Sequence, residues 1–289
     1  MNNSGILFLN IGTKCLVRLA VSIYSLRQHY GGPVCIINAA GHDGGIVERF
    51  AADNQLGVGV RQIEIKIFRK RTAYVAKPSV YRWTPFDRTL FVDADTVFMA
   101  DPSPLLAMQT PLAVTQFSDW NCGGLIVRKR IEPFLHIGEL AIGVPQLASR
   151  VIAESWPAIN TGVFAFNRDW PGMKTWERLT QAARTRANFT DEIAANVLLP
   201  FFGNDVAIVD DSFNWSPLYG KSDDPVIVHM HGNKHVRPEA IPFWWPVFQQ
   251  CIELDIAGIR SWMPAGDKRL AEFLKWQENH GRETQPASQ

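Results

Sequence analysis

The first forty residues constrain the fold more tightly than any later stretch. Ile6 to Asn10 is a short, largely apolar run that gives way to Ile11-Gly12-Thr13, the pattern of a buried strand leaving into a turn. Leu16, Leu19, Ala20, Ile23 and Leu26 then recur at helical spacing, so residues 16–29 read as a helix. Tyr30-Gly31-Gly32-Pro33 stops it, and Val34 to Asn38 supplies a second apolar strand. Strands joined through a helix run parallel, and a strand apolar on both sides of its pleat needs cover on both faces. The chain therefore reads as α/β, with helices flanking a parallel sheet.

The alternation continues. Helix is expected over 45–54, strand over 62–67, and a strand at 89–92 led by the segment 76–83. After Asp101-Pro102-Ser103-Pro104 come a short helix and a strand at 112–117. Residues 124–128 read as a strand and 146–154 as a helix. Then follow strand 161–167, helices 175–184 and 191–201, strand 226–229, and aromatic-rich helices. No internal repeat or linker divides the chain. The expectation is one domain over 1–280, its first half ending near 117, and a polar, flexible tail at 281–289.

Size and charge exclude several classes. With 289 residues, 46% of them hydrophobic, the chain can bury one sizeable core without staples. A net charge of +1 gives no footprint for nucleic acid. Cys15, Cys35, Cys122 and Cys251 form no CxxC pair, and are expected as reduced thiols in a cytosolic protein. The apolar stretch Gly5 to Leu9 is only a strand long, and no run reaches the length of a membrane span. The Trp-rich C-terminal part leaves a peripheral membrane contact as the one membrane role in view. Oligomeric state has no sequence signal.

The chemistry gathers in four segments. In Leu90-Phe91-Val92-Asp93-Ala94-Asp95 an apolar strand ends abruptly in two carboxylates separated by one small residue. Ligands of open α/β sheets bind beyond the carboxyl ends of strands, and two acids there can offer oxygens to a hard divalent cation. Asn160-Thr161-Gly162-Val163 opens another apolar strand, Thr190-Asp191-Glu192 opens a helix, and His229-Met230-His231-Gly232-Asn233-Lys234 closes a strand. Each has a plain alternative. Paired acids cap turns, acids in a first helical turn suit the macrodipole, and strand-end histidines serve as hydrogen-bonding partners. His229 and His231 share a strand face, which with His235 leaves a zinc site open. Arg69-Lys70-Arg71 reads as a solvated loop, and Phe243-Trp244-Trp245 as packing. Asp119-Trp120 is a candidate for the acceptor side.

Taken in order, these segments resemble the retaining glycosyltransferases of the glycogenin type, which are similar to bacterial lipopolysaccharide galactosyltransferases. The likeness runs from about Ile6 to Lys234, including Ser25-Leu26-Arg27 on the first helix, and is thinnest over 118–157. It implies a GT-A fold, with a mixed, mostly parallel central sheet, and transfer of a hexose from a UDP-sugar to an acceptor that the sequence does not identify. By the same resemblance Asp93, Asp95 and His229 would hold Mn2+ or Mg2+. Lys77, Arg82, Lys234, Asn10, Asp93, Asn160, Gly162 and Gly232 would contact the donor. Asp191 and Glu192 would stand near the anomeric carbon, where the family has Asp-Gln. Glu192 departs from that pattern. A carboxylate can form a covalent glycosyl intermediate and an amide does so poorly, yet the family manages without one, so front-face attack by the acceptor stays open beside it.

Two rivals remain. A sugar nucleotidyltransferase would carry a glycine-rich loop after the first strand, which Asn10-Ile11-Gly12-Thr13-Lys14 lacks. A catalytically silent nucleotide-sugar binder would have lost a metal ligand, and all three are present.

Overall fold

The computed structural model describes residues 3–65, 72–138, 140–219, 222–231, 237 and 239–263. Its first half is strand and helix in alternation: β1 (Ser4–Asn10), α1 (Leu16–Arg27), β2 (Val34–Ala39), α2 (Ile46–Ala52) and β3 (Gly59–Ile63). Then come α3 (Thr72–Ala76) with a 3-10 turn (Lys77–Arg82), β4 (Arg88–Val92), β5 (Thr96–Phe98) and α4 (Ser103–Leu106). The second half holds β6 (Leu112–Asn121), α5 (Leu125–Ile131), α6 (Val144–Ala153), β7 (Pro157–Asn167), α7 (Gly172–Ala183) and α8 (Thr190–Phe202). It ends with β8 (Val206–Val209), β9 (Ile227–His229), α9 (Ile241–Glu253) and α10 (Ile259–Trp262).

Seven strands make one sheet in the order β3-β2-β1-β4-β7-β6-β8. All its neighbours pair parallel except at β7, which runs against both β4 and β6. The sheet is thus mixed and mostly parallel. Its central strands β1, β2 and β4 are apolar on both faces because both are covered. Ile6, Phe8, Leu90 and Val92 pack toward α1 and α9, while Leu7, Ile37, Phe91 and Phe164 belong to the core that takes in Trp176 of α7 and Leu198 of α8. Burying a side chain of this kind contributes roughly 1.5–3 kcal/mol.

Two hydroxyls on α1 position the site. Ser22 bonds to the Thr96 hydroxyl (2.7 Å), and Ser25 Oγ accepts the Phe98 N–H (3.0 Å). The Thr96 hydroxyl also reaches the Asp93 carbonyl (3.0 Å). The turn between β4 and β5 is therefore fastened to the helix beneath it. A second, two-stranded sheet continues from that turn, with β5 pairing antiparallel to β9 so that Thr96 lies opposite His229.

Two expectations need correction. Of residues 124–128, expected as a strand, Leu125 onward is helical and Gly124 is the extended residue that precedes the helix. Asn121 Oδ1 accepts the Gly124 N–H (2.8 Å), and the buried positions Val127 and Ile131 are four apart, which is a helix's spacing. The strand expected over 62–67 is β3, which starts earlier, at Gly59, and ends at Ile63. Its edge position explains the weak apolar signal, since most of its side chains face solvent. Residues 66–67, the Arg69-Lys70-Arg71 run and the tail at 281–289 lie outside the described residues. The four cysteines are free thiols, three of them buried. Among the described residues, no helix is long and apolar enough to cross a membrane.

Candidate active site

The β4 strand, buried at every position, ends at Val92, and Asp93 turns out of the sheet with its N–H donated to the Gly162 carbonyl (2.7 Å). Asp95 follows on the way into β5. On the facing strand, the His229 N–H is held by the Trp215 carbonyl (2.7 Å), and the next N–H, of Met230, by the Asp95 carbonyl (2.8 Å). Backbone bonds therefore bring His229 to the two acids. Its Nε2 lies 3.3 Å from Asp95 Oδ1 and 4.0 Å from Asp93 Oδ2. One ligand atom from each of the three falls within 4.8 Å of the others.

This donor set fits a divalent cation. Two carboxylate oxygens and one imidazole nitrogen suit manganese or magnesium, and ring nitrogen Nδ1 is already occupied by the Asn214 carboxamide (2.8 Å). Nε2 is left facing the acids. Burial works against charge on His229, but Asp95 and Asp93 outweigh it and raise its pKa above the ordinary value. Asp93 is raised by burial and by Asp95, with Lys77 and His229 pulling against the shift. Crowded acids and an imidazole that attracts protons are what a bound cation would relieve.

Lys77, on the 3-10 turn before β4, is almost wholly buried. Its Nζ donates to Asp93 Oδ2 (2.8 Å) and to the Thr161 carbonyl (3.3 Å), and pairs with Asp191 Oδ2 (3.3 Å). Burial favours the neutral amine, but Asp93 and Asp191 overcome it and its pKa is raised. The three N–H groups of the ammonium are thus matched by three oxygens. In this arrangement Lys77 balances the acids before it meets any anion.

Asp191 and Glu192 stand in the first turn of α8. Asp191 Oδ2 also accepts the Thr161 hydroxyl (3.1 Å), whereas Oδ1 has no hydrogen-bond partner among the described residues. Glu192 Oε2 accepts Asn160 Nδ2 (2.8 Å), and Oε1 lies 3.5 Å from the Arg130 guanidinium. Burial, and then Asp191, push the Glu192 carboxyl up to about 7, against Arg130, Lys77 and His229. Asn160 Oδ1 accepts the Gly162 N–H (2.8 Å). Gly162 itself lies against the His229 ring so closely that a Cβ would overlap it.

The remaining sequence candidates are placed differently. Asn10 ends β1 and bonds to Asn38 Oδ1 (2.8 Å) and the Gly12 carbonyl (3.1 Å), with its own Oδ1 unpartnered among the described residues. Arg82 closes the 3-10 turn away from the acids and pairs with Glu177 (2.7 Å), which also takes the Ser79 and Tyr81 hydroxyls. Gly232, Lys234 and His235 lie outside the described residues. His231 stacks on His229 with ring centroids 4.2 Å apart, and packs edge-on to Phe117 and Tyr219.

Four neighbours escaped the sequence reading: Asn214, Thr161, Arg130 and Tyr74. Arg130 comes from the end of α5, beyond the 124–128 stretch expected as a strand. Its guanidinium lies over the Phe189 ring at 4.9 Å, and Tyr74 meets the same ring edge-on at 5.6 Å. Phe189 is exposed and adopts a left-handed φ of 52° just before α8. The Asn-x-Gly turn offered a signal for Thr161, since it lies between two residues already singled out. Asn214 carried none.

No family model matches the chain, and no curated protein matches it in sequence. Solved structures do match in shape. The galactosyltransferase LgtC, in complex with donor and acceptor sugar analogs, aligns over 88% of this chain and 95% of its own at 17% identity (TM-score 0.56). Mouse xyloside xylosyltransferase 1 aligns over 80% and 98% at 11% identity (TM-score 0.55). The glycosyltransferase GlyE of Streptococcus pneumoniae aligns over 89% of this chain at 12% identity (TM-score 0.54), and the chain spans only 64% of its length. The chain has the GT-A fold of these proteins, as the resemblance in its motifs implied.

Proposed function

We propose that this protein is a divalent-metal-dependent glycosyltransferase that moves a hexose from a UDP-sugar to an acceptor, with retention of anomeric configuration. The observation that carries the reading is the convergence of Asp93, Asp95 and His229 at the end of β4, beside a buried lysine, in a GT-A fold. Two strands remote in sequence, β5 and β9, are brought together to make that trio.

Asp93, Asp95 and His229 would hold Mn2+ or Mg2+ at the donor diphosphate. When bound, such an ion supplies positive charge to the phosphate oxygens as the nucleotide departs. The chain's own groups do the rest. Lys77 bridges Asp93 and Asp191, and its charge lies close to the leaving group. Asp191 retains an unspent oxygen, Oδ1, as an acceptor for a donor-sugar hydroxyl. Asn160 orients Glu192 through Oε2, so that the carboxyl meets the anomeric carbon from a fixed direction. There Glu192 stabilises the oxocarbenium-like carbon electrostatically or attacks it. Burial and Asp191, against Arg130, set how much of it is ionised.

The test is direct. The protein is incubated with UDP-sugars and Mn2+, with and without chelator, and UDP release is followed. Slow, metal-dependent release is expected even without acceptor, and Asp95→Asn should abolish it while circular dichroism stays unchanged. UTP formed only with added pyrophosphate would replace this reading with a nucleotidyltransferase. Donor binding without turnover across an acceptor screen would leave a silent binder.

A further inference from the structure

Asn214 lies between β8 and β9 and is almost completely buried. It touches three of the elements that build the site. Which way round its carboxamide sits follows from a donor whose identity is not in question. The Gly162 backbone N–H can only donate, and it points at the Asn160 side chain (2.8 Å), so the Asn160 atom there is oxygen. The Asn214 atom 2.9 Å from that same oxygen must then be its NH2. That nitrogen also reaches Thr115 Oγ1 (2.8 Å), whose own hydrogen is directed to the carbonyl of Asn160 or Val163. The other Asn214 atom is consequently oxygen, 2.8 Å from His229 Nδ1. An amide oxygen only accepts, so Nδ1 must carry the hydrogen.

We propose that Asn214 is a positioning residue: it holds His229 in the Nδ1–H tautomer and thereby presents the Nε2 lone pair to the cation. The same carboxamide joins His229 to Asn160, whose Nδ2 holds Glu192. A chain of hydrogen bonds thus runs from the Gly162 N–H through Asn160 and Asn214 to the metal-facing imidazole, with a branch to the carboxyl beside the anomeric carbon. Metal-ligating histidines commonly have the second ring nitrogen fixed in this way, and losing such a partner typically weakens metal affinity 10–100-fold. What is particular here is that one amide serves both the cation side and the donor-sugar side of the site. The inference rests on the proposed function in assigning a cation to His229 and a donor sugar to Glu192.

The experiment uses the full chain, with manganese alone as the probe. A long-range 1H–15N spectrum of the metal-free protein, recorded where imidazoles are neutral, reports which ring nitrogen of His229 is protonated. Nδ1–H is expected, and Nε2–H would overturn the proposal without the need for any variant. Mn2+ affinity by electron paramagnetic resonance supplies the second readout. Asn214→Leu, similar in volume, removes both the acceptor and the donor and should weaken Mn2+ binding tenfold or more. Asn214→Asp keeps an oxygen toward Nδ1 and should stay within about threefold of wild type. Both variants lose the buried donor to Asn160 and Thr115, so a merely structural role would move them together. Equal losses in the two, or no loss in Asn214→Leu, would defeat the assignment. A wild-type protein that binds no Mn2+ would count against the proposed function, and the tautomer would still decide the role of Asn214.

Discussion

At Glu192 burial and Asp191 favour the protonated carboxyl, Arg130 favours the ionised form, and the balance pushes the carboxyl from 4.5 up to about 7. The consequence for stability has a definite sign. Between those two values the folded state holds a proton that the unfolded state has released, so folding stability falls as pH rises through that window. The loss is on the order of 3 kcal/mol when complete. Glu192→Gln keeps an oxygen for Asn160 but cannot ionise. Urea unfolding should find the variant about as stable as wild type at pH 4.5 and more stable at pH 8.5. A difference independent of pH would mean that Glu192 titrates normally. The acids and histidine of the site were legible in the sequence because they end strands or open a helix, where side chains converge whatever the loops do. Asn214 and Arg130 were not. A buried asparagine in a loop has no periodicity to mark it, and Arg130 is one of three consecutive basic residues, which resemble a solvated face.

Two junctions between elements carry the site, and each can be broken separately. Gly162 is where β7, the Asp93 turn and the His229 ring meet. Its backbone φ is not of the left-handed kind, so close approach is the reason for glycine here. A methyl group would have to displace the buried imidazole or Asn160. Gly162→Ala should cost about 1–3 kcal/mol in denaturant unfolding and lower Mn2+ affinity with it. Loss of stability with metal binding intact would show that the ring is not held by this contact. The second junction is Glu177 on α7, whose carboxylate accepts from Ser79, Tyr81 and Arg82 and so ties down the turn that begins with Lys77. Burial raises the Glu177 pKa, but these partners more than offset it and leave it lowered, so the tie is strongest above the carboxylate range and weakens as pH falls. Glu177→Ala leaves a hydroxyl buried without a partner and should cost about 1–3 kcal/mol, seen as a lower denaturant midpoint at unchanged slope. The long elements on either side were readable from apolar periodicity. The short strands β5 and β8, of three and four residues, were not. A strand that short has no period of its own, and its pairing partner is remote in sequence.

Across the whole molecule, the site behaves as a cluster of charge that the fold tolerates and a ligand would relieve. The polypeptide brings three carboxylates, an imidazole and one ammonium into a largely buried space: Asp93, Asp95, Asp191, His229 and Lys77. Lys77 offsets one acid at most, so the cluster retains negative charge when the imidazole is neutral. A diphosphate alone would add to that charge, and a cation alone would cancel it. Binding of the pair should therefore be strongly interdependent, each improving the affinity of the other by the same factor. Unfolding releases both, so thermal stability reports the linkage. At 100-fold excess over Kd a ligand adds about 2.7 kcal/mol. At roughly 2–4 °C per kcal/mol for a chain of this size class, UDP with Mn2+ should raise Tm by about 5–10 °C. UDP with chelator should raise it little, because its negative charge then meets Asp93 and Asp95 uncompensated. Asp95→Asn should abolish the joint shift, while the variant's own Tm stays level with or rises above that of the wild type, since one of the crowded charges is gone. An equal shift from UDP with and without chelator would separate nucleotide binding from the Asp93, Asp95 and His229 trio and move the donor site elsewhere on the fold.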